Sequence, residues 1–99
     1  MTIYALTYTY IDDPETVSKF RPDHRAYLKT LEDRGELLAS GPLGEPGPAG
    51  GLLIFDVGSL ERMQEIVDSD PFGKHGVIAG KTVQSWSLFV GADRFGPWA

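Results

Sequence analysis

Apolar residues recur along this chain with two periods, and the order of those periods predicts the fold. Residues 3–10 are rich in β-branched and aromatic side chains, which predicts a strand. Residues 13–35 repeat apolar side chains at helical spacing, with Asp13 as a helix cap and Gly35 as a stop. The later patterns predict a strand over residues 36–40, a loop over 44–51 and a strand over 52–57. A helix then runs from the Ser59 cap to about Ser69, followed by a connection over 70–76. The last strand lies within 77–90, and its pattern is strongest from Val83.

Pro22 interrupts the first helical pattern. A proline inside a helix removes one backbone hydrogen bond and crowds the preceding turn. The sequence therefore predicts a short first turn through Phe20 and a main helix that starts at Arg21 or Pro22 and ends near Arg34. His24 would then lie in the first turns of the main helix.

The order strand, helix, strand, strand, helix, strand is that of the ferredoxin-like βαββαβ fold. We expect an α+β domain with a four-stranded antiparallel sheet and two helices on one face. Apolar side chains also alternate at Trp86, Leu88 and Val90, which one helical layer cannot cover. A second copy packed sheet to sheet would bury them, so the pattern predicts a homodimer.

Length and composition narrow the class of protein. The 99 residues predict a single domain, with a core over about 3–90 and a tail over 91–99 that holds Phe95 and Trp98. The chain has no cysteine, which excludes disulfides, thiolate nucleophiles and cysteine-ligated zinc. A net charge of −5 without a cluster of basic residues argues against nucleic-acid binding. No apolar run suits a membrane span and no signal peptide is evident, so we expect a soluble cytoplasmic protein.

A histidine and an aspartate far apart in sequence suggest a site for proton transfer. His24 falls on the apolar face of the first helix, and Asp70 ends the second helix. In the predicted topology His24, Asp70 and Ser40 all lie at the same end of the molecule. A carboxylate bonded to one imidazole nitrogen fixes the tautomer and leaves the other nitrogen for acid–base chemistry near neutral pH.

Two further residues suit ligand binding at the same end. Arg21, three residues before His24, could hold an anionic group, since guanidinium matches carboxylate geometry. Gly41 has no Cβ, which allows a ligand close to the backbone.

Each of these residues also has a structural interpretation. His24 could be a core histidine bonded to a carbonyl, and Asp70 could simply end its helix before Pro71. Arg21 could be a surface ion-pair partner, and Ser40 an ordinary strand residue. His75 is either solvated or a second acid–base group. Trp86 is either part of the core on the sheet face or a cavity wall. The spacing of the acidic residues matches no metal motif, so no metal site is expected; these residues are Asp12, Asp13, Asp68 and Asp70.

Several short motifs together resemble the YciI-like (YCII-related) family. They are Arg21-Pro22-x-His24, Gly35-x-Leu37-Leu38-x-Ser40-Gly41-Pro42, Gly51, Ser59-Leu60-Glu61 and Asp70-Pro71-Phe72-x-x-x-Gly76. The resemblance implies a dimeric α+β barrel with a His–Asp active site on His24 and Asp70. It also implies a pocket that includes Ser40, and we expect Gly41, Pro42 and Phe72 to line it.

The resemblance also guides the functional hypothesis. One branch of the family resembles dehydrochlorinases that act on chlorinated hydroxyquinols. The leading hypothesis is a small cofactor-free enzyme of lyase or isomerase type, acting on a small anionic or phenolic metabolite. The alternatives are a non-catalytic small-molecule-binding protein and an accessory subunit whose tail docks a partner.

Overall fold

Four antiparallel strands form one sheet, and helices cover one of its faces. The computed structural model describes residues 2–95, with the backbone alone for Phe95. The elements are β1 (Thr2–Tyr10), α1 (Pro14–Asp33), β2 (Leu37–Leu43), β3 (Gly50–Val57), α2 (Leu60–Ser69), the single turn α3 (Pro71–Lys74), β4 (Ile78–Ser85) and a 3-10 helix, Ala92–Phe95. The strand order is β2-β3-β1-β4 with every neighbouring pair antiparallel, which confirms the predicted ferredoxin-like fold.

The core lies between the sheet and its two long helices. Leu28 and Leu31 of α1 and the buried side chains of α2 pack on alternate residues of the central strands, because only every second strand residue faces the helices. The strand residues in this cluster are Leu6, Tyr8, Leu37, Leu53, Phe55 and Val57, and those of α2 are Met63, Ile66 and Val67. Within residues 2–95, no helix has the length and apolar character needed to span a bilayer.

Helix α1 runs through Pro22 without a break, so the predicted interruption is wrong. Pro22 cannot donate a hydrogen bond to the carbonyl of Ser18, four residues earlier. Both residues are exposed, so water can satisfy that carbonyl and the helix continues. As a result His24 lies in the middle of a long helix rather than in its first turns.

The end of α1 follows the prediction. Gly35 has a φ of 78°, a left-handed conformation that favours glycine. The Gly35 N–H donates to the Glu32 carbonyl at 2.9 Å, and the Glu36 N–H donates to the Leu31 carbonyl at 3.0 Å. These two bonds close a Schellman motif and turn the chain directly into the edge strand β2.

The last strand ends earlier than its composition suggests. Strand β4 stops at Ser85, which pairs with Tyr4, and the Trp86 N–H still donates to the Ile3 carbonyl at 2.8 Å. Residues 86–90 are not part of a strand, so Leu88 and Val90 lie outside the sheet. The predicted stripe of Trp86, Leu88 and Val90 is therefore wrong, and Val90 is 90% exposed.

The other strand bounds also shift. The predicted end of the second strand at residue 40 is wrong, because β2 continues through Gly41 and Pro42 to Leu43, which pairs with Gly50 at the start of β3. Trp98 of the predicted tail lies outside the described residues.

An ion pair fastens the start of β2 to α2. Arg62 donates to the Glu36 carboxylate from Nε at 2.7 Å and from Nη2 at 2.8 Å. Both side chains are partly buried, with exposed fractions of 32% and 21%. Hydrogen bonds from Arg62 hold the pKa of Glu36 below its ordinary value.

We predict that Glu36→Gln lowers the free energy of unfolding by about 1 kcal/mol at neutral pH. A depressed folded-state pKa stabilises above the unfolded value of 4.5, and this stabilisation is lost as the pH falls through the folded value. Urea denaturation should therefore show the wild type and the variant converging in acid. Glu65→Gln is the control, because Glu65 is 67% exposed and accepts a single 3.3 Å bond from the same arginine. Equal losses in the two variants would contradict the assignment.

Candidate active site

His24 and Asp70 form a buried pair, although 46 residues separate them in sequence. The His24 Nδ1 atom lies 2.8 Å from Asp70 Oδ1 and 3.1 Å from Oδ2. The exposed fractions are 6% for His24 and 1% for Asp70. Helix α1 presents the imidazole on its apolar face, and Asp70 stands at the junction of α2 and α3. The predicted meeting of these two residues is thus present in the structure.

Two further donors hold the Asp70 carboxylate. The Phe72 N–H donates to Oδ1 at 2.9 Å, so that Asp70 caps α3. The Tyr8 hydroxyl, on the helix-facing side of β1, donates to Oδ2 at 3.1 Å. Burial raises the pKa of Tyr8, and the adjacent Asp70 charge raises it further, so the phenol remains a donor.

The surroundings fix both the tautomer and the plane of His24. An ionised carboxylate only accepts hydrogen bonds, so Nδ1 donates to it, and in the neutral imidazole Nε2 then carries the lone pair. The imidazole stacks on the Phe72 ring, with 3.9 Å between centroids and 8° between planes. Nε2 has no hydrogen-bond partner in the described part of the chain, and it is not among the buried, unpartnered atoms there. This nitrogen is therefore available to take or give a proton.

A cavity of about 140 Å³ adjoins this histidine. The residues predicted to bind substrate all line it, which brings α1, α3 and the edge strand β2 around one space. They are Arg21, Ser40, Gly41, Pro42 and Phe72, and the other lining residues are Tyr10, His24, Arg25, Leu28, Gly51 and Leu53.

Gly51 makes part of this space. A Cβ built on Gly51 would lie 2.8 Å from the Tyr10 hydroxyl oxygen. A larger residue there would displace the phenol, so the glycine lets Tyr10 lie at the cavity wall.

The geometry decides between several of the alternatives. His24 bonds to a carboxylate rather than to a carbonyl, and Asp70 both ends its helix and contacts His24. Arg21 has no ion pair with any residue from 2 to 95. His75 is exposed, stacks on Phe20 at 4.0 Å and does not line the cavity. Trp86 lines an apolar hollow on the open face of the sheet instead.

Sequence reasoning missed three residues at this site, namely Tyr8, Tyr10 and Arg25. Strand alternation could have placed Tyr8 and Tyr10 on the helix-facing side with Leu6, near the end of β1 that faces His24. Arg25 directly follows His24, but nothing in its spacing separates it from a solvated helix residue. As for metals, among residues 2–95 no three His, Asp or Glu side chains are grouped as ligands would be.

Comparison with known proteins identifies a family for this chain. A model of the YCII-related domain matches residues 1–87. The chain belongs to the YCII-related domain family. This membership confirms the resemblance carried by the motifs around His24, Ser40 and Asp70.

This YCII-related protein resembles two YciI proteins in sequence and a solved structure in fold. It is 38% identical over 81 residues to protein YciI of Escherichia coli O6:H1 and to protein YciI of Shigella flexneri, covering 74% of this chain and 83% of each relative. It also resembles the structure of a 5-chloro-2-hydroxyhydroquinone dehydrochlorinase from Burkholderia phenoliruptrix AC1100, in complex with 2,5-dihydroxybenzoquinone. That similarity has a TM-score of 0.77 at 22% identity and covers 86% of this chain and 93% of the other, which shows a shared fold.

We predict that Tyr8→Phe lowers the free energy of unfolding of this YCII-related protein by about 2 kcal/mol at neutral pH, because the buried carboxylate loses one donor. Because the pKa of Tyr8 is raised in the folded protein, the protonated phenol stabilises the folded state fully below pH 10.0, the ordinary pKa of tyrosine. This stabilisation is lost as the pH rises from there through the raised pKa. Denaturant titrations should therefore show the variant and the wild type converging in strong base.

Tyr4→Phe is the matched control for Tyr8→Phe. Tyr4 packs against the same core from the same strand, and its hydroxyl makes no hydrogen bond with the rest of residues 2–95. The expected change is within about 0.5 kcal/mol. A loss as large as that of Tyr8→Phe would show that the Asp70 contact is not the cause.

Proposed function

We propose that this protein is a small cofactor-free enzyme of lyase or isomerase type that acts on a small anionic or phenolic metabolite. One observation carries the proposal: the oriented His24–Asp70 pair leaves Nε2 available beside a cavity that also contains Arg21. His24 acts as base and acid, and Asp70 orients the ring and stabilises the imidazolium. Arg21 and the Ser40–Gly41 segment hold the oxygen on which negative charge develops.

A chlorinated hydroquinone illustrates the reaction class, and the dehydrochlorinase with the same fold favours it. His24 Nε2 takes a proton from one ring hydroxyl and returns it to the adjacent chlorine-bearing carbon, which gives a ketone. Nε2 then takes the proton of the para hydroxyl. The electron pair released forms the second carbonyl and shifts one ring double bond, and chloride leaves with the electrons of the C–Cl bond. The net change is loss of one proton and one chloride ion, with no oxidant.

We predict that His24→Gln lowers the rate of chloride release from 5-chloro-2-hydroxyhydroquinone by about 10²-fold or more, the usual contribution of general acid–base catalysis. Asp70→Asn should also slow the reaction, because an amide offers no negative charge to the imidazolium. Ion-selective electrode measurements follow the chloride, with His75→Ala as the control because His75 lies outside the cavity. Wild-type turnover in the folded His24 variant would refute the mechanism. Tight binding by the wild type without turnover would favour a binding protein.

We further propose that the protein is a homodimer whose sheets pack face to face. On the open face of the sheet, Leu43 is 39% exposed and Leu52 is 38% exposed. Together with Ile54 they line an apolar hollow of about 310 Å³ opposite the helices. A second copy of the same sheet would remove this surface from water, and a twofold axis would pair the same patch on both copies.

We predict that Leu52→Lys converts the dimer into a monomer of the 10.8 kDa chain, because a lysine charge would be buried between the sheets. Sedimentation velocity measures the mass. Leu60→Lys is the matched control, since Leu60 is 50% exposed on α2 and not on the open face. A dimer that survives the Leu52 substitution would place the interface elsewhere.

A further inference from the structure

Two arginines, not one, line the cavity beside His24. Arg21 and Arg25 lie four residues apart on α1, one on each side of His24 in sequence. Neither guanidinium makes a hydrogen bond or an ion pair with any residue from 2 to 95, whereas Arg62 is held by Glu36 and Glu65. Their charges are thus not neutralised by the described part of the chain.

The residues that line the cavity are basic although the chain is acidic. The net charge is −5, yet the described residues that line the cavity include no carboxylate. Burial raises the pKa of the Tyr10 phenol, the charges of Arg21 and Arg25 oppose that rise, and Asp70 adds to it. Both arginines are therefore close enough to act on one side chain of the cavity wall.

Each arginine also borders a second, separate hollow. Arg21 borders one between the start of α1 and the connection from β2 to β3, together with Asp12, Val17 and Leu43. Arg25 borders another along α1 and β2, together with Lys29, Glu32 and Leu37. Four helical residues correspond to about 6 Å along the helix axis. A ligand beside His24 thus meets positive charge at two separated positions.

We propose that Arg25 is a second anion-binding residue and that the site selects small planar dianions with their negative groups at opposite ends. One group pairs with Arg21 and the other with Arg25, while the ring between them lies beside His24. The inference rests on the proposed function and narrows its substrate class. In the reaction above, negative charge develops in turn on the two para oxygens of the hydroquinone, and these are the groups that the two guanidiniums hold.

Two probes of equal shape and different charge test the selectivity. Terephthalate carries two carboxylates across a benzene ring, and 4-carbamoylbenzoate replaces one of them with a neutral amide. Isothermal titration calorimetry should show that the wild type binds terephthalate about tenfold more tightly, the effect of one charge-assisted contact. In Arg25→Gln the two probes should bind with nearly equal affinity.

Arg34→Gln is the matched control, because it removes the same charge from an exposed residue at the far end of α1. It should keep the wild-type preference. The inference is overturned if the wild type does not distinguish the probes, if it binds neither, or if Arg25→Gln keeps the preference. None of these results depends on chloride release, so loss of the dianion preference with His24-dependent turnover intact would reject this inference and leave the proposed function standing.

Discussion

The Asp70 carboxylate joins the elements on which this site depends. It is 1% exposed and accepts hydrogen bonds from three parts of the chain: His24 on α1, Tyr8 on β1 and the backbone of α3. A buried carboxylate without such partners costs several kcal/mol, so each of the three elements stabilises the buried Asp70. The contacts that complete the fold are therefore the same contacts that orient the imidazole.

Because of this arrangement, Nδ1 of His24 is hydrogen-bonded and Nε2 is available. Asp70 occupies Nδ1, and the Phe72 ring fixes the plane of the imidazole from one face. The α3 turn that carries Phe72 is itself capped by Asp70, so the cap and the stacking partner come from one short segment. Rotation of the histidine would break both contacts, and Nε2 is thus kept in one position beside the cavity.

The parts of the site that sequence could predict are those that depend on chain direction. Asp70 lies where α2 ends, whereas His24 and Ser40 lie near the middle of α1 and β2. The βαββαβ order alone directs the start of α1, the end of β2 and the end of α2 to one end of the sheet, which was enough to predict that these three residues lie on the same side of the molecule. Chain direction and strand alternation could also have placed Tyr8 at this end of the sheet. The sequence could not show that the Tyr8 hydroxyl donates to Asp70, because a buried tyrosine in a strand is equally well explained as core.

The errors arose where tertiary context outweighed local preference. Pro22 predicts a break only if the lost hydrogen bond is buried, and in this helix the affected carbonyl belongs to an exposed residue. The sequence after Val83 has strong β-propensity, yet β4 stops at Ser85, where its register with β1 ends at Tyr4. A strand ends where its pairing with a neighbouring strand ends, and no local pattern in the sequence reports that pairing.

The charged groups that line the cavity and those on the rest of the surface affect a ligand differently. At physiological ionic strength the field of an exposed charge is screened within about 8 Å, so a ligand in the cavity responds chiefly to the groups that line it. Asp70 is already bonded to three internal donors, whereas Arg21 and Arg25 have no partner among residues 2–95. A small anion therefore meets a positive site. A long polyanion would also meet the acidic remainder of the surface, which repels it.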